Sequence, residues 1–238
     1  MKALVANSGG IDSTTCVAWA VETYGKDNVS TVSLYYGQKH DKELKCAQDI
    51  ADHYGVKHYE LDISNIMQFS NSPLLKQSTE EILDMSYTEQ IKEFGEGEVH
   101  TYVPNRNMLI MAILGTLAQS IYKDEEVDII HGMQSGDQTG NTYPDCSKEF
   151  FESCNQTLEI ANSNKVHLKA PFVTVDKAGV VKYGLEHNVP YEKTWSCYRG
   201  GAKACGHCGT CIDRLAAFKA NGVEDPIDYE DRTQVDRA

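Results

Sequence analysis

Ala3-Leu4-Val5-Ala6-Asn7-Ser8-Gly9-Gly10-Ile11-Asp12-Ser13-Thr14-Thr15 is the stretch that decides the fold. Four apolar residues in a row suit a strand buried on both faces. The glycine pair then predicts a tight turn, and residues 14–24 read as a helix beyond it. Strand, turn and helix in that order mark the carboxyl end of the first strand of an open α/β sheet, where such folds bind ligands. Glycines let the backbone approach an anion closely, and successive N–H groups form a nest facing it. The helix that follows turns its positive end to the same spot, and Ser8, Ser13, Thr14 and Thr15 add hydroxyl donors. No Gly-Lys-Ser follows and G-x-G-x-x-G is absent, so this is neither the Walker loop nor the dinucleotide fingerprint. The plain alternative is a strand-to-helix turn capped by Asp12 and Ser13.

Outward from that loop the pattern repeats. Residues 29–36 are β-rich and end in Gly37-Gln38-Lys39-His40; Leu44, Ala47, Ile50 and Ala51 give 41–54 a helical face; 56–63 read as a third strand. Further helices are expected at 105–122, 148–163 and 175–187, with strands at 127–133 and 166–170. Strands alternating with helices imply a Rossmann-like α/β fold, a parallel sheet with helices on both faces. Residues 67–100 interrupt the rhythm with seven acidic residues from Glu80 to Glu98. They read as a solvated surface insertion, with an active-site lid as the alternative. The organisation expected is therefore a main domain over 1–190 carrying that insertion, a metal-binding segment over 191–220 and a charged tail over 221–238.

A length of 238 residues suits one sizeable core with a small appendage. The net charge of −13 leans against a polynucleotide partner, which calls for a basic footprint, and towards small-molecule substrates. No apolar run reaches membrane-spanning length, and the opening MKALVANSGG runs too soon into a glycine turn to be a signal peptide. A cytoplasmic protein with reduced thiols is expected, with neither membrane nor direct nucleic-acid binding. Among its eight cysteines, Cys197, Cys205, Cys208 and Cys211 stand as C-x7-C-x2-C-x2-C on glycine-rich turns. Four thiolates so spaced suit a closed, structural tetrahedral zinc site; an iron–sulfur cluster uses the same ligands, and spacing alone admits it. Cys16 and Cys46 are expected to pack in helices, and His207 to be a turn residue rather than a fifth ligand.

The loop Ser8-Gly9-Gly10-Ile11-Asp12-Ser13 resembles the SGGxDS pyrophosphate loop of the N-type ATP pyrophosphatases, of the adenine nucleotide alpha hydrolase fold. The wider order of motifs resembles the 7-cyano-7-deazaguanine synthases of the queuosine pathway, the QueC family. It runs through Tyr36-Gly37-Gln38-Lys39-His40, Val103-Pro104-Asn105-Arg106-Asn107, Tyr143-Pro144-Asp145-Cys146, Ala170-Pro171-Phe172, Asp176-Lys177-Ala178 and Thr194-Trp195-Ser196-Cys197-Tyr198. The resemblance implies an ATP-dependent carbon–nitrogen ligase using magnesium and structural zinc. Its members take 7-carboxy-7-deazaguanine, ammonia and ATP to the nitrile. The carboxylate attacks the α-phosphate, ammonia displaces AMP to give an amide, and a second ATP activates that amide for dehydration.

On that resemblance Asn7, Ser8, Gly9, Gly10, Ile11, Asp12, Ser13, Thr14, Thr15 and Gly132 hold the nucleotide. Asp12, Arg106, His40 and Lys39 are the candidate catalytic residues, with Arg106, Lys39 and His40 meeting developing charge or the substrate carboxylate. Tyr143, Asp145 and Asp137 are the candidates for the acceptor, the carboxylates receiving ring N–H donors. The family's Gly-Tyr-Pro-Asp-Cys-Arg stands here as Gly140-Asn141-Thr142-Tyr143-Pro144-Asp145-Cys146-Ser147. A relative coupling a deazaguanine acid to another amine, a tRNA-modifying ATP pyrophosphatase and a non-catalytic nucleotide-sensing module are the alternatives. A homodimer is the assembly implied by family analogy.

Overall fold

A computed structural model describes residues 1–136 and 142–237. Asp137 lies outside the described residues. Five parallel strands form one sheet in the order β3-β2-β1-β4-β5: β1 (Lys2–Ala6), β2 (Val29–Tyr35), β3 (Lys57–Asp62), β4 (Val127–Ile130) and β5 (Val166–Lys169). Val5 at the centre pairs with Thr31 on one side and Ile130 on the other. Being covered on both faces, β1 has Ala3, Leu4 and Val5 fully buried. One face carries α1 (Ile11–Tyr24), α2 (Lys42–Tyr54), α7 (Lys177–Glu186) and α8 (Gly209–Ala220), which bury Val17, Ile50, Val180 and Phe218 against it. The other carries α5 (Arg106–Tyr122) and α6 (Lys148–Ala161), with Leu114 and Leu158 in a second core. Because β2 follows β1 to one side while β4 lies on the other, the strand order reverses beside β1, and a crevice opens at the carboxyl ends there.

Three expectations are corrected. The strand foreseen at 127–133 stops at Ile130, since His131-Gly132-Met133 leave the ladder to line the crevice. The insertion at 67–100 is not simply solvated. After the short helix α3 (Ser64–Met67), Leu74 and Leu75 are buried, Gln38 bridges Leu75 antiparallel, and Lys39 N donates to Leu74 O at 2.9 Å. Backbone pairing holds this stretch, so no side-chain periodicity announces it. It also contains α4 (Tyr87–Phe94), whose start is fixed by a reciprocal capping box between Ser86 and Glu89.

The third correction is α8, a helix unforeseen within the cysteine-rich segment, which begins at Cys208 as its N-cap. Its Arg214 is 1% exposed yet fully answered. Nε and Nη2 donate to the two oxygens of Asp225 at 2.6 and 2.9 Å, Nη1 to Thr194 Oγ1 at 2.8 Å and Nη2 to Tyr191 O at 3.3 Å. The chain beyond α8 is thereby folded back, with Tyr229 also donating to Asp225 at 2.6 Å.

Candidate functional site

The first turn of α1 faces the crevice with its amides uncapped, for Gly10 at the N-cap offers no side-chain acceptor. Asn7 and Ser13 shape the approach: Asn7 Oδ1 accepts from Gly9 N at 3.1 Å, and Ser13 Oγ accepts from Ser8 N at 3.1 Å. Gly9 has a φ of 77° and lies so tightly on α2 that a Cβ would come within 2.8 Å of Ala47 N and Cys46 Cβ. A side chain there would push α2 off the loop. Gly132 is close-packed to a lesser degree, a Cβ falling 3.2 Å from Ser13 N. Asn7, Ser8, Gly10, Ile11, Asp12, Ser13 and Gly132 all line the cavity. Thr15 does not; its hydroxyl lies 2.9 Å from Ile11 O and 2.8 Å from Tyr191 Oη, in the core. Thr14 is likewise fully buried away from the cavity lining.

Asp12 is paired. Its Oδ2 lies 2.8 Å from Lys177 Nζ, which also lies 3.3 Å from Asp213 Oδ2 on α8. Both Asp12 and Lys177 line the cavity, so a lysine from the start of α7 joins the glycine loop. The signal for it in the sequence was Asp176-Lys177-Ala178, a motif without an assigned role. Asp176 caps α7 through Gly179 N at 2.8 Å, which places Lys177 at N1.

Arg106 opens α5 at the opposite wall. Asn105 before it takes a left-handed φ of 58°, turning the helix start into the cavity. Arg106 Nη1 lies 3.5 Å from Tyr36 Oη, and its guanidinium sits 5.5 Å from that ring's centroid. Among the described residues it makes no ion pair. A guanidinium left without a carboxylate in a cavity is prepared for an anionic guest. His131 stands near it, and burial together with the Arg106 charge pushes its imidazole down to about 4. It is therefore neutral at neutral pH.

Asp145 is used differently from the ring contact expected of it. Its Oδ2 accepts from Asn107 N at 3.2 Å, its backbone oxygen accepts from Asn107 Nδ2 at 3.1 Å, and it does not line the cavity. The cause is local: Asn105 gives α5 no side-chain cap, so the orphan amide of the first turn takes the nearest carboxylate. Lys39 is exposed and donates to Glu80 O at 3.2 Å, away from the cavity. His40 packs under Gly200, where a Cβ would strike its ring at 2.6 Å, and burial lowers its basicity. Tyr143 does line the cavity, where it meets two tyrosines from distant segments. Tyr198 Oη lies 2.9 Å from Tyr87 Oη of the insertion and 3.4 Å from Tyr143 Oη. Glu43, on the first turn of α2, also lines it and had not been anticipated.

The four cysteines of the C-terminal segment are buried, and their sulfurs lie within 4.8 Å of one another. Cys205 and Cys211 sulfurs are 3.9 Å apart, close to the roughly 3.8 Å edge that Zn–S bonds of about 2.3 Å define in a tetrahedron. Backbone N–H groups of Cys205 and Cys208 point at the sulfurs of Cys197 and Cys205, at 3.3 and 3.4 Å, which favours thiolates. The group fits a single metal ion. His207 is no fifth ligand; its Nδ1 lies 2.7 Å from Asp84 Oδ1. This segment also walls the cavity. Trp195 N donates to Gly9 O at 2.9 Å, Trp195 Nε1 to Cys197 O at 2.9 Å, and Lys42 Nζ lies 4.0 Å over the indole while bonding Gly201 O.

Comparison with known proteins finds likeness along nearly the whole chain. A family model described as Queuosine biosynthesis protein QueC matches residues 2–222. A 7-cyano-7-deazaguanine synthase of Caldicellulosiruptor saccharolyticus is 40% identical over 230 residues, covering 97% of this chain and 96% of that one. A protein of the same name from Archaeoglobus fulgidus is 39% identical over 228 residues, covering 95% of this chain and 90% of its own. Among solved structures, the NMN synthetase of Francisella tularensis covers 82% of this chain at 16% identity and a TM-score of 0.47. This chain spans 65% of that structure, and the likeness carries no argument. With the family model matching nearly end to end and relatives at this identity over full length, the chain belongs to the queuosine biosynthesis protein QueC family.

Proposed function

We propose that this protein is a 7-cyano-7-deazaguanine synthase, an ATP-dependent ligase converting 7-carboxy-7-deazaguanine and ammonia to the nitrile. The single observation that supports it best is the Arg106 guanidinium, without an ion pair among the described residues, in one cavity with an open phosphate loop. An acid held by Arg106 would face a nucleotide held by the amides of residues 8–13. Carboxylate oxygen attack at the α-phosphate forms the acyl adenylate and expels pyrophosphate. Ammonia then forms the C–N bond as AMP leaves, with loss of a proton. The amide oxygen attacks the α-phosphate of a second ATP, expelling pyrophosphate, and departure of AMP with the two nitrogen protons leaves the nitrile. Each step gains from positioning and from fixed charge rather than from covalent work by the protein.

Magnesium would bind the polyphosphate beside Asp12, lending it positive charge. Zinc is the proposed occupant of the four cysteines, a closed set that leaves no position for substrate. The acceptor and donor are small molecules, and a homodimer is proposed on family likeness. Among the described residues no helix is long and apolar enough to cross a membrane. The test is incubation with ATP, magnesium, ammonium and the deazaguanine acid, followed by mass spectrometry. Nitrile with AMP and pyrophosphate is expected. ADP and phosphate as the products, or no nitrile, would overturn the reading. Arg106→Ala should raise KM for the acid by a hundredfold or so while leaving ATP affinity within a few-fold.

A further inference from the structure

Among the described residues, two acidic side chains line the cavity, Asp12 and Glu43. Asp12 is held by Lys177. Glu43 has no such partner: among the described residues its carboxyl makes neither a hydrogen bond nor an ion pair. Its position is nonetheless firmly set. Glu43 O lies against Gly9 at a spot that admits no side chain, and Asn7 Nδ2 donates to Ala47 O one turn later at 3.0 Å. Leu44 beside it is buried and lines the same cavity. The first turn of α2 is thus clamped to the phosphate loop with a carboxyl facing into the cavity. Glu43 is half-buried in the cavity wall, where burial pushes its carboxyl up to about 7 against the opposing pull of the Arg106 charge, and N–H donors on a guest would favour its ionised form.

We propose that Glu43 determines which acceptor is taken, by receiving adjacent N–H donors from the edge of a guanine-like ring whose acid group meets Arg106. The inference rests on the function proposed above. Such a ring presents a ring N–H and an exocyclic amino group side by side in one plane, and the two oxygens of a carboxylate accept both. Tyr36 and Tyr198, also in the cavity lining, offer flat apolar faces for the ring. Asp145 spends one oxygen on the start of α5 and stands outside the cavity lining, which leaves this task to Glu43 among the described carboxylates of the site. A guanidinium whose hydrogen bond among the described residues goes to the Tyr36 hydroxyl, and a carboxyl with no hydrogen bond among them, match a ligand with an acidic end and a donor edge. A purine-like acid without the amino group keeps the ring N–H but leaves one oxygen of the half-buried Glu43 carboxylate without a donor, so it binds more weakly.

The experiment measures binding of two ligands by titration calorimetry: 7-carboxy-7-deazaguanine and the same acid lacking the 2-amino group. Wild-type protein should prefer the first by about a hundredfold or more. Glu43→Gln should lose most of that preference while its ATP affinity stays within twofold. Equal binding of both acids by the wild type, which needs no variant to fold, overturns the inference. So does a Glu43→Gln protein that keeps the preference, or one that binds both acids normally and loses only kcat, since that would make Glu43 a base for the ammonium donor. Nitrile formation by the wild type alongside any of these results leaves the proposed function standing while this inference falls. Absence of nitrile from the wild type removes both.

Discussion

At the scale of single residues, charge placement organises the cavity. Arg106 and His131 approach one another, and only one of them can be a cation there without cost. Burial and the guanidinium hold the imidazole at about 4, against 6.5 for the free side chain. The unfolded chain therefore binds a proton between these values that the folded chain refuses. Stability is unaffected above pH 6.5 and falls as pH drops towards 4, by at most about 3 kcal/mol. His131→Asn should flatten that acid limb of the stability profile, measured by urea denaturation at pH 7 and pH 5. An unchanged slope would mean that His131 is protonated in the fold. Asn7, Ser8, Gly10 and Asp12 were legible as a site because their chemistry is contiguous in the chain. Lys177 and Glu43 were not, since 165 residues separate Lys177 from Asp12 and only the sheet topology joins them. Nothing local distinguishes Glu43 from other acids on a polar helix.

At the scale of elements, helix starts aim the functional groups, and each start needs its amides answered. Ser147 caps α6 and Asp176 caps α7, both with the chemistry their residue types predict. The start of α5 is the exception: a left-handed Asn105 aims Arg106 at the cavity and leaves the cap to Asp145, 38 residues from Asn107. Asp145→Asn should therefore lower stability by about 1 kcal/mol, the worth of one charge-assisted cap. Its effect on acceptor affinity should be modest and indirect, through the aim of Arg106. Denaturant unfolding beside ligand titration would check this; loss of acceptor binding at unchanged stability would restore the ring-reading role. The strands and long helices were legible through their periodicity. Helix α4 was hidden because it is eight residues long and is held by partners elsewhere, Arg237 gripping Glu89 at 2.9 Å.

At the scale of the molecule, the four-cysteine segment is a wall of the site rather than an appendage beside it. Trp195, Ser196 and Tyr198 flank the first cysteine and line the cavity, and Trp195 N holds Gly9 O of the phosphate loop. Behind them Arg214 ties the segment to Tyr191, whose hydroxyl reaches Thr15 on α1. Four thiolates gathered within 4.8 Å repel one another unless a cation sits among them. Removing the metal should therefore loosen 195–198 first and, through Gly9, the nucleotide site. Metal-stripped protein should melt lower by more than about 10 °C, since structural metal binding is folding free energy in such sites. Its ATP affinity should fall by at least about tenfold, because a phosphate loop that must be reordered on binding lowers affinity by the fraction in which it is competent. Re-addition of zinc should restore both measurements together. Cys208→Ser should reproduce the paired loss, as its sulfur belongs to the ligand set while its side chain stays outside the cavity lining. Calorimetric titration of ATP into the stripped protein below its melting temperature decides the matter. Unchanged ATP affinity there would show that the wall stands without its metal, and that the cysteines serve the stability of the segment alone.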